Sequence, residues 1–279
     1  MSAPTTSESE TRGARRPVWL EARGITKQFG AVIALADVDV SISLGEVIGL
    51  IGDNGSGKST FVKILSGVYQ PSGGSLLVEG KPVHLHSAAD ARAMGIETVH
   101  QDLGLVDSMS IARNFFLGAE RRKGPFLDLK RMERETTAML KEIGLGNLRA
   151  VGQDVSKLSG GERQAISIGR AVAFQRKMLI LDEPTSALSI QETQKVFEFI
   201  RAARDRGLAV LTVMHNLEQV RDIADRFVVF YHGHKIADIV NTGQSEADLA
   251  HYIIEGKLAE MGVDRDQVDT GVVRAITTE

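Results

Sequence analysis

EVIGLIGDNGSGKST, residues 46–60, decides the fold. Its first half, EVIGLIG at 46–52, is almost wholly apolar and runs straight into glycine-rich sequence, as a strand buried on both faces does. GDNGSGKS at 52–59 fits the pattern G-x-x-x-x-G-K-[ST], after that strand and before a helix expected to begin near Lys58. Gly52, Gly55 and Gly57 permit backbone angles that turn successive N–H groups inward, and the helix N-terminus adds partial positive charge. Such a loop, with Asn54 and Ser56 at its crown, is a cradle for a polyphosphate. Lys58 would reach the β and γ phosphates, Ser59 would give its hydroxyl to Mg²⁺, and Thr60 would bond a phosphate oxygen. A plain glycine-rich turn is the competing reading, and it leaves the strand before and the helix after unexplained.

Outward from the loop, MLILD at 178–182, LAVLTVM at 208–214 and RFVVFY at 226–231 are further apolar runs. They alternate with helices expected from Ile190 and Leu217, so the sheet is mostly parallel. The run at 178–182 ends in Asp182 and Glu183, which puts two carboxylates at the carboxyl edge of the sheet, where α/β folds hold ligands. Asp182 would bind the metal ion or its water, and Glu183 would orient and polarise the water that attacks the γ-phosphate. His215 ends the run LTVM in a similar position, where it could bond the γ-phosphate and hold Glu183. Each of these, alone, is an ordinary strand terminus; the phosphate loop gives them weight.

From Val18 to Ile42 the pattern alternates, most clearly at Val38, Val40 and Ile42, which predicts half-buried antiparallel strands. SLLVEG at 75–80 and GIETVH at 95–100 read as strands around a short helix through Ala89 to Met94. Helical periodicity then dominates from about Leu103 to Lys157, with Met132, Met139, Leu140 and Ile143 sharing a face before Gly144, and the inserted lobe is bounded at about 103–160. The expected architecture is an α/β P-loop NTPase core with an antiparallel β lobe and an inserted helical lobe. Its bounds fall at 18–255, between a polar tail over 1–17 and an extension over 256–279.

Composition narrows the function. Apolar residues make up 43% and charged residues 25%, enough to bury a core, and the formal charge of −3 offers no broad basic field for nucleic acid. No cysteine occurs, which removes disulfides, thiolate zinc sites and a cysteine nucleophile. The first residues lack the apolar core of a signal peptide, and no segment approaches the roughly 20 apolar residues that span a bilayer.

LSGGERQ at 158–164 resembles the signature of ABC-type ATPases. Ser159, Gly160 and Gly161 open a helix there, so a hydroxyl and N–H groups can meet an anion. The resemblance orders the other landmarks: Phe29 as the aromatic that stacks on adenine, Gln101 as the catalytic and metal-side glutamine at the lobe junction, and His215 as the switch histidine. It implies MgATP hydrolysis in a head-to-tail dimer with a second copy of the chain, in which the P-loop of one subunit and the signature of the other close on the same ATP. One departure stands out: many members carry aspartate where this chain has Ser189, which puts the dimer contact of that loop in question.

ETVHQDLGLVDSMSIARNFFLG at 97–118 and HNLEQVRDIADRF at 215–227 look like segments of bacterial sugar-importer ATPases of the ribose, xylose and fructose class. That resemblance implies transmembrane permease subunits, a periplasmic or extracellular sugar-binding protein, and a peripheral place on the cytoplasmic face of the cell membrane. Leu103, Leu105, Val106, Met109, Phe115 and Phe116 are candidates for the permease groove, although most such side chains would fill the helical lobe instead. A soluble ABC ATPase of iron–sulfur assembly is the alternative. Repair ATPases, which need coiled-coil insertions or zinc cysteines, and two-domain translation factors fit less well.

Overall fold

The computed structural model describes residues 16–99, 104–142, 150–174, 176–186, 188–214, 216–245 and 247–253. The chain opens with β1 (Val18–Phe29) and β2 (Val32–Ser43), then β3 (Val47–Ile51), α1 (Lys58–Leu65), β4 (Gly73–Val78) and β5 (Lys81–Val83). Next come α2 (Ala88–Met94), β6 (Ile96–Val99), α3 (Ile111–Phe115), β7 (Arg122–Lys123), β8 (Phe126–Leu127), α4 (Leu129–Glu142) and α5 (Gly160–Ala173). It finishes with β9 (Met178–Asp182), α6 (Ile190–Asp205), β10 (Ala209–Val213), α7 (Leu217–Ile223), β11 (Arg226–Tyr231) and β12 (His234–Val240).

Two sheets carry the molecule. The first, in the order β2-β1-β4-β5, is antiparallel throughout, with Val38, Val40 and Ile42 buried as the alternation predicts. The second has the order β12-β11-β3-β10-β9-β6 and is parallel except for β12, which runs antiparallel along β11. In β3, Ile48 and Leu50 enter one apolar cluster, with Phe61 and Phe230, while Val47 and Ile51 enter another, with Phe197 and Phe227. β9 divides likewise, Met178 and Ile180 against Leu179 and Leu181. A strand between two cores has no polar face, which is why these runs read as continuous rather than alternating. At about 1.5–3 kcal/mol for each fully buried large apolar side chain, these central strands anchor the fold.

A third apolar cluster, which meets the second at Phe199 of α6, includes Ile111, Phe115, Phe116, Met132, Leu140, Val155 and Leu158, joined by Ala165 and Ile166 of α5. Buried Asn114 organises its edge: its side-chain amide donates to the carbonyls of Val106 (2.9 Å) and Met109 (3.1 Å), and its Oδ1 accepts from Val106 N–H (2.7 Å). Every polar atom of that side chain is therefore used in shaping the loop before α3. This region is not helical throughout, because the β7–β8 hairpin interrupts it with Phe126 exposed at its tip. Of the groove candidates, Phe115 and Phe116 are buried in this cluster, Leu105 packs on it, and Val106 stays exposed. Leu103 lies outside the described residues.

Candidate nucleotide site

β3 delivers the chain to the phosphate loop and α1 leaves it, as the motif requires. Gly52, Gly55 and Gly57 have φ of 145°, 81° and 103°, conformations that side chains resist. Gly57 is also held tightly, since a Cβ there would stand 2.7 Å from the Ala34 carbonyl oxygen and 2.8 Å from Leu35 Cδ2. The turn between β11 and β12 braces the loop from the other side. Gly233 N–H donates to the Ser56 carbonyl (2.9 Å), and Ala36 N–H donates to the Gly233 carbonyl (2.9 Å). Ser56 is consequently buried, while Asn54 and Gly55 are exposed at the crown.

Lys58 is 5% exposed, and its ammonium folds into the loop, donating to the carbonyls of Gly52 (2.7 Å) and Asp53 (2.8 Å) and more weakly to Ser56 Oγ (3.4 Å). Burial lowers its pKa below the usual lysine value, and the negative charges of Asp53, Glu183 and Asp182 oppose that shift. The cation from one element and the acids from another thus share one electrostatic neighbourhood. α1 begins at Lys58 without a side-chain cap and without an acidic residue in its first turn, so the positive end of the helix faces the loop uncountered. Ser59 is exposed at that end and Thr60 is half-buried behind it.

Asp182 ends β9 in register with Val213 of β10, and both it and Glu183 are partly exposed. Glu183 has φ of +52°, rare for a non-glycine residue, and its N–H donates to the Val213 carbonyl at 3.0 Å. Residues in sparsely populated backbone regions concentrate at functional sites. Thr185 Oγ1 lies 2.8 Å from Gln219 Oε1, tying the following loop to α7. No group of three or more His, Cys, Asp or Glu side chains among the described residues could hold a metal alone. Asp182 and the Ser59 hydroxyl are hard oxygen donors that fit Mg²⁺, an ion that takes few protein ligands and completes its shell with phosphate and water.

Phe29 is 42% exposed at the end of β1, edge-on to Tyr69 with ring centroids 5.2 Å apart and with Lys27 Nζ 5.0 Å from its centroid. Gln101 and His215 lie outside the described residues. Ser159, Gly160 and Gly161 stand at the start of α5, where Ser159 N–H donates to Glu162 Oε2 (2.8 Å) and Ser159 Oγ accepts from Glu162 N–H (3.3 Å), a reciprocal cap. Gly161 N–H donates elsewhere, to Glu192 Oε1 on α6 (3.2 Å). Ser189 caps α6 by accepting from Glu192 N–H, and its own N–H donates back to the Glu192 carboxylate, so it does for the helix what aspartate does at such a position. Sequence reading overlooked Glu192; the spacing Ser189-x-x-Glu192 announces a capping box, but nothing local announces its reach to α5.

Known proteins bear on this geometry. An ABC transporter family model matches residues 35–186, more than half of the 279. A fructose import ATP-binding protein of Rhizobium meliloti is 39% identical over 251 residues, 88% of this chain and 96% of that protein. A xylose/arabinose import ATP-binding protein of Sulfolobus acidocaldarius is 45% identical over 214 residues, 77% of this chain and 85% of that protein. A ribose import ATP-binding protein of Rubrobacter xylanophilus is 40% identical over 92% of this chain, which spans only 51% of that longer protein. A nucleotide-free ATP-binding cassette from an ABC transporter superposes with a TM-score of 0.73 at 23% identity, covering 89% of this chain and 100% of that one, and supports the fold. On the family model and these identities, the chain belongs to the ABC transporter family.

Proposed function

We propose that this chain is the ATP-hydrolysing subunit of an importer of monosaccharides, with residues 18–255 as the ATPase domain and about 103–160 as its inserted lobe. The observation that carries the reading is the buried Lys58 ammonium set at an uncapped helix start within the field of Asp182 and Glu183. Three import ATP-binding relatives support transport, and they favour it over soluble iron–sulfur assembly.

In this reading Phe29 stacks on adenine, the N–H groups of residues 52–60 hold the phosphates, and Lys58 exchanges loop carbonyls for phosphate oxygens. Asp182, Ser59 and Gln101 would hold Mg²⁺, whose charge would offset that of the phosphates. Glu183 takes a proton from water as the water oxygen bonds to the γ-phosphorus and the bridging oxygen leaves with ADP. His215 holds the γ-phosphate side. A second copy supplies Ser159, Gly160 and Gly161 across the nucleotide.

ATP-driven closure would be passed to permease subunits, which receive sugar from an external binding protein, with this chain peripheral on the cytoplasmic face of the membrane. The cleft of about 360 Å³ between Glu97, Leu117, Arg170 and Phe174, with the Arg176–Glu97 pair (3.1 Å) in its wall, is a candidate surface for a permease segment. The decisive experiment is Glu183→Gln. ATP binding should persist while turnover falls about 10²-fold or more, and undiminished hydrolysis would remove Glu183 from its role.

A further inference from the structure

Glu192 occupies an anion position at the start of the signature helix. Its Oε1 accepts from Gly161 N–H (3.2 Å), while Oε2 accepts from Ser189 N–H (3.1 Å) and from Ser189 Oγ (2.9 Å). These donors, led by the Ser189 and Gly161 backbone groups and followed by the Ser189 and Ser159 hydroxyls, hold its carboxyl at about 2, so it carries a full negative charge at neutral pH. The backbone is built for this contact. A Cβ on Gly161 would stand 3.0 Å from both Cβ and Cγ of Glu192, and one on Gly160 would stand 2.8 Å from Leu188 Cδ2.

Gly161 N–H and the Ser159 hydroxyl are the donors through which the signature would greet the γ-phosphate of an ATP held by the opposite subunit. We propose that Glu192 is a positioning residue that keeps this donor set aligned in the absence of nucleotide and gives it up to the phosphate, so that its charge sets the ATP concentration needed for closure. The inference rests on the composite-site reading above. Its physics is an exchange of anions: a charge-assisted bond must break, and a carboxylate must then sit beside a phosphate.

The test measures ATP-dependent dimerisation in a Glu183→Gln background, which prevents turnover from resetting the dimer. Adding Glu192→Gln, which keeps an acceptor and removes the charge, should lower the half-saturating ATP concentration about three- to tenfold. Thr193→Ala, which trims buried packing of α6 while leaving Glu192 and its donors in place, should shift it less than twofold. A Glu192→Gln curve that coincides with the background or moves to higher ATP overturns the proposal, and so does an equal shift in Thr193→Ala, which would mark a merely structural loosening of α6. Failure of the background protein to dimerise, or dimerisation that survives Ser159→Arg, strikes instead at the composite-site reading, and the two failures are thereby told apart.

Discussion

Two helix starts in this molecule are built on the same backbone chemistry and finished in opposite ways. α1 begins after Gly57 with no side-chain cap, and the charged group folded into its loop is a cation, Lys58, on carbonyl oxygens. α5 begins with a closed capping pair, Ser159 and Glu162, and the charged group upon it is an anion, Glu192, on an N–H. The first end leaves its donors uncapped for phosphate and keeps its lysine close at hand. The second has its Gly161 N–H already engaged by Glu192, so that donor could turn to a phosphate only by exchange. On the proposed function, affinity for nucleotide would belong to the first end and conditional closure to the second.

The comparison can be broken by substitution. Gly57→Ala should cost about 2–4 kcal/mol of stability, through strain at positive φ and collision with the Ala34 carbonyl, and chemical denaturation would register it. Lys58→Ala should weaken ATP binding by about tenfold to a hundredfold, the worth of one or two bonds to charged groups, as read by calorimetric titration. Gly161→Ala should cost less, about 1–2 kcal/mol, because its φ is unstrained and a shift of α6 by a few tenths of an ångström relieves the contacts with Glu192 Cβ and Cγ; a loss as large as at Gly57 would erase the distinction between a rigid cradle and a yielding one.

Much of this was legible in advance, and the reasons differ by element. β9 and β11 match their predicted runs because a strand between two cores is apolar along its buried stretch, with polar residues only at the ends, Asp182 and Arg226. α6 and α7 begin at Ile190 and Leu217 as expected, after the capping side chains Ser189 and Asn216. β5, β7 and β8 escaped notice, being two or three residues long and too short to show a period. β12 escaped too, for its edge position leaves a mixed burial pattern over HKIADIV. In the site, the loop and the acids were legible from local motif. Glu192 and the brace at Gly233 were not, since each acts on residues far away in sequence.

The small turn at His232–Gly233 has a practical consequence. It joins the last hairpin, the crown of the loop and the first sheet through two backbone bonds, although in sequence it looks like any surface reversal. A tag, a fluorophore or an inserted peptide placed there would be expected to disturb the loop from about 175 residues downstream. The reversal at Gly124–Pro125, exposed between β7 and β8, is the better attachment point for a reporter that must leave chemistry alone.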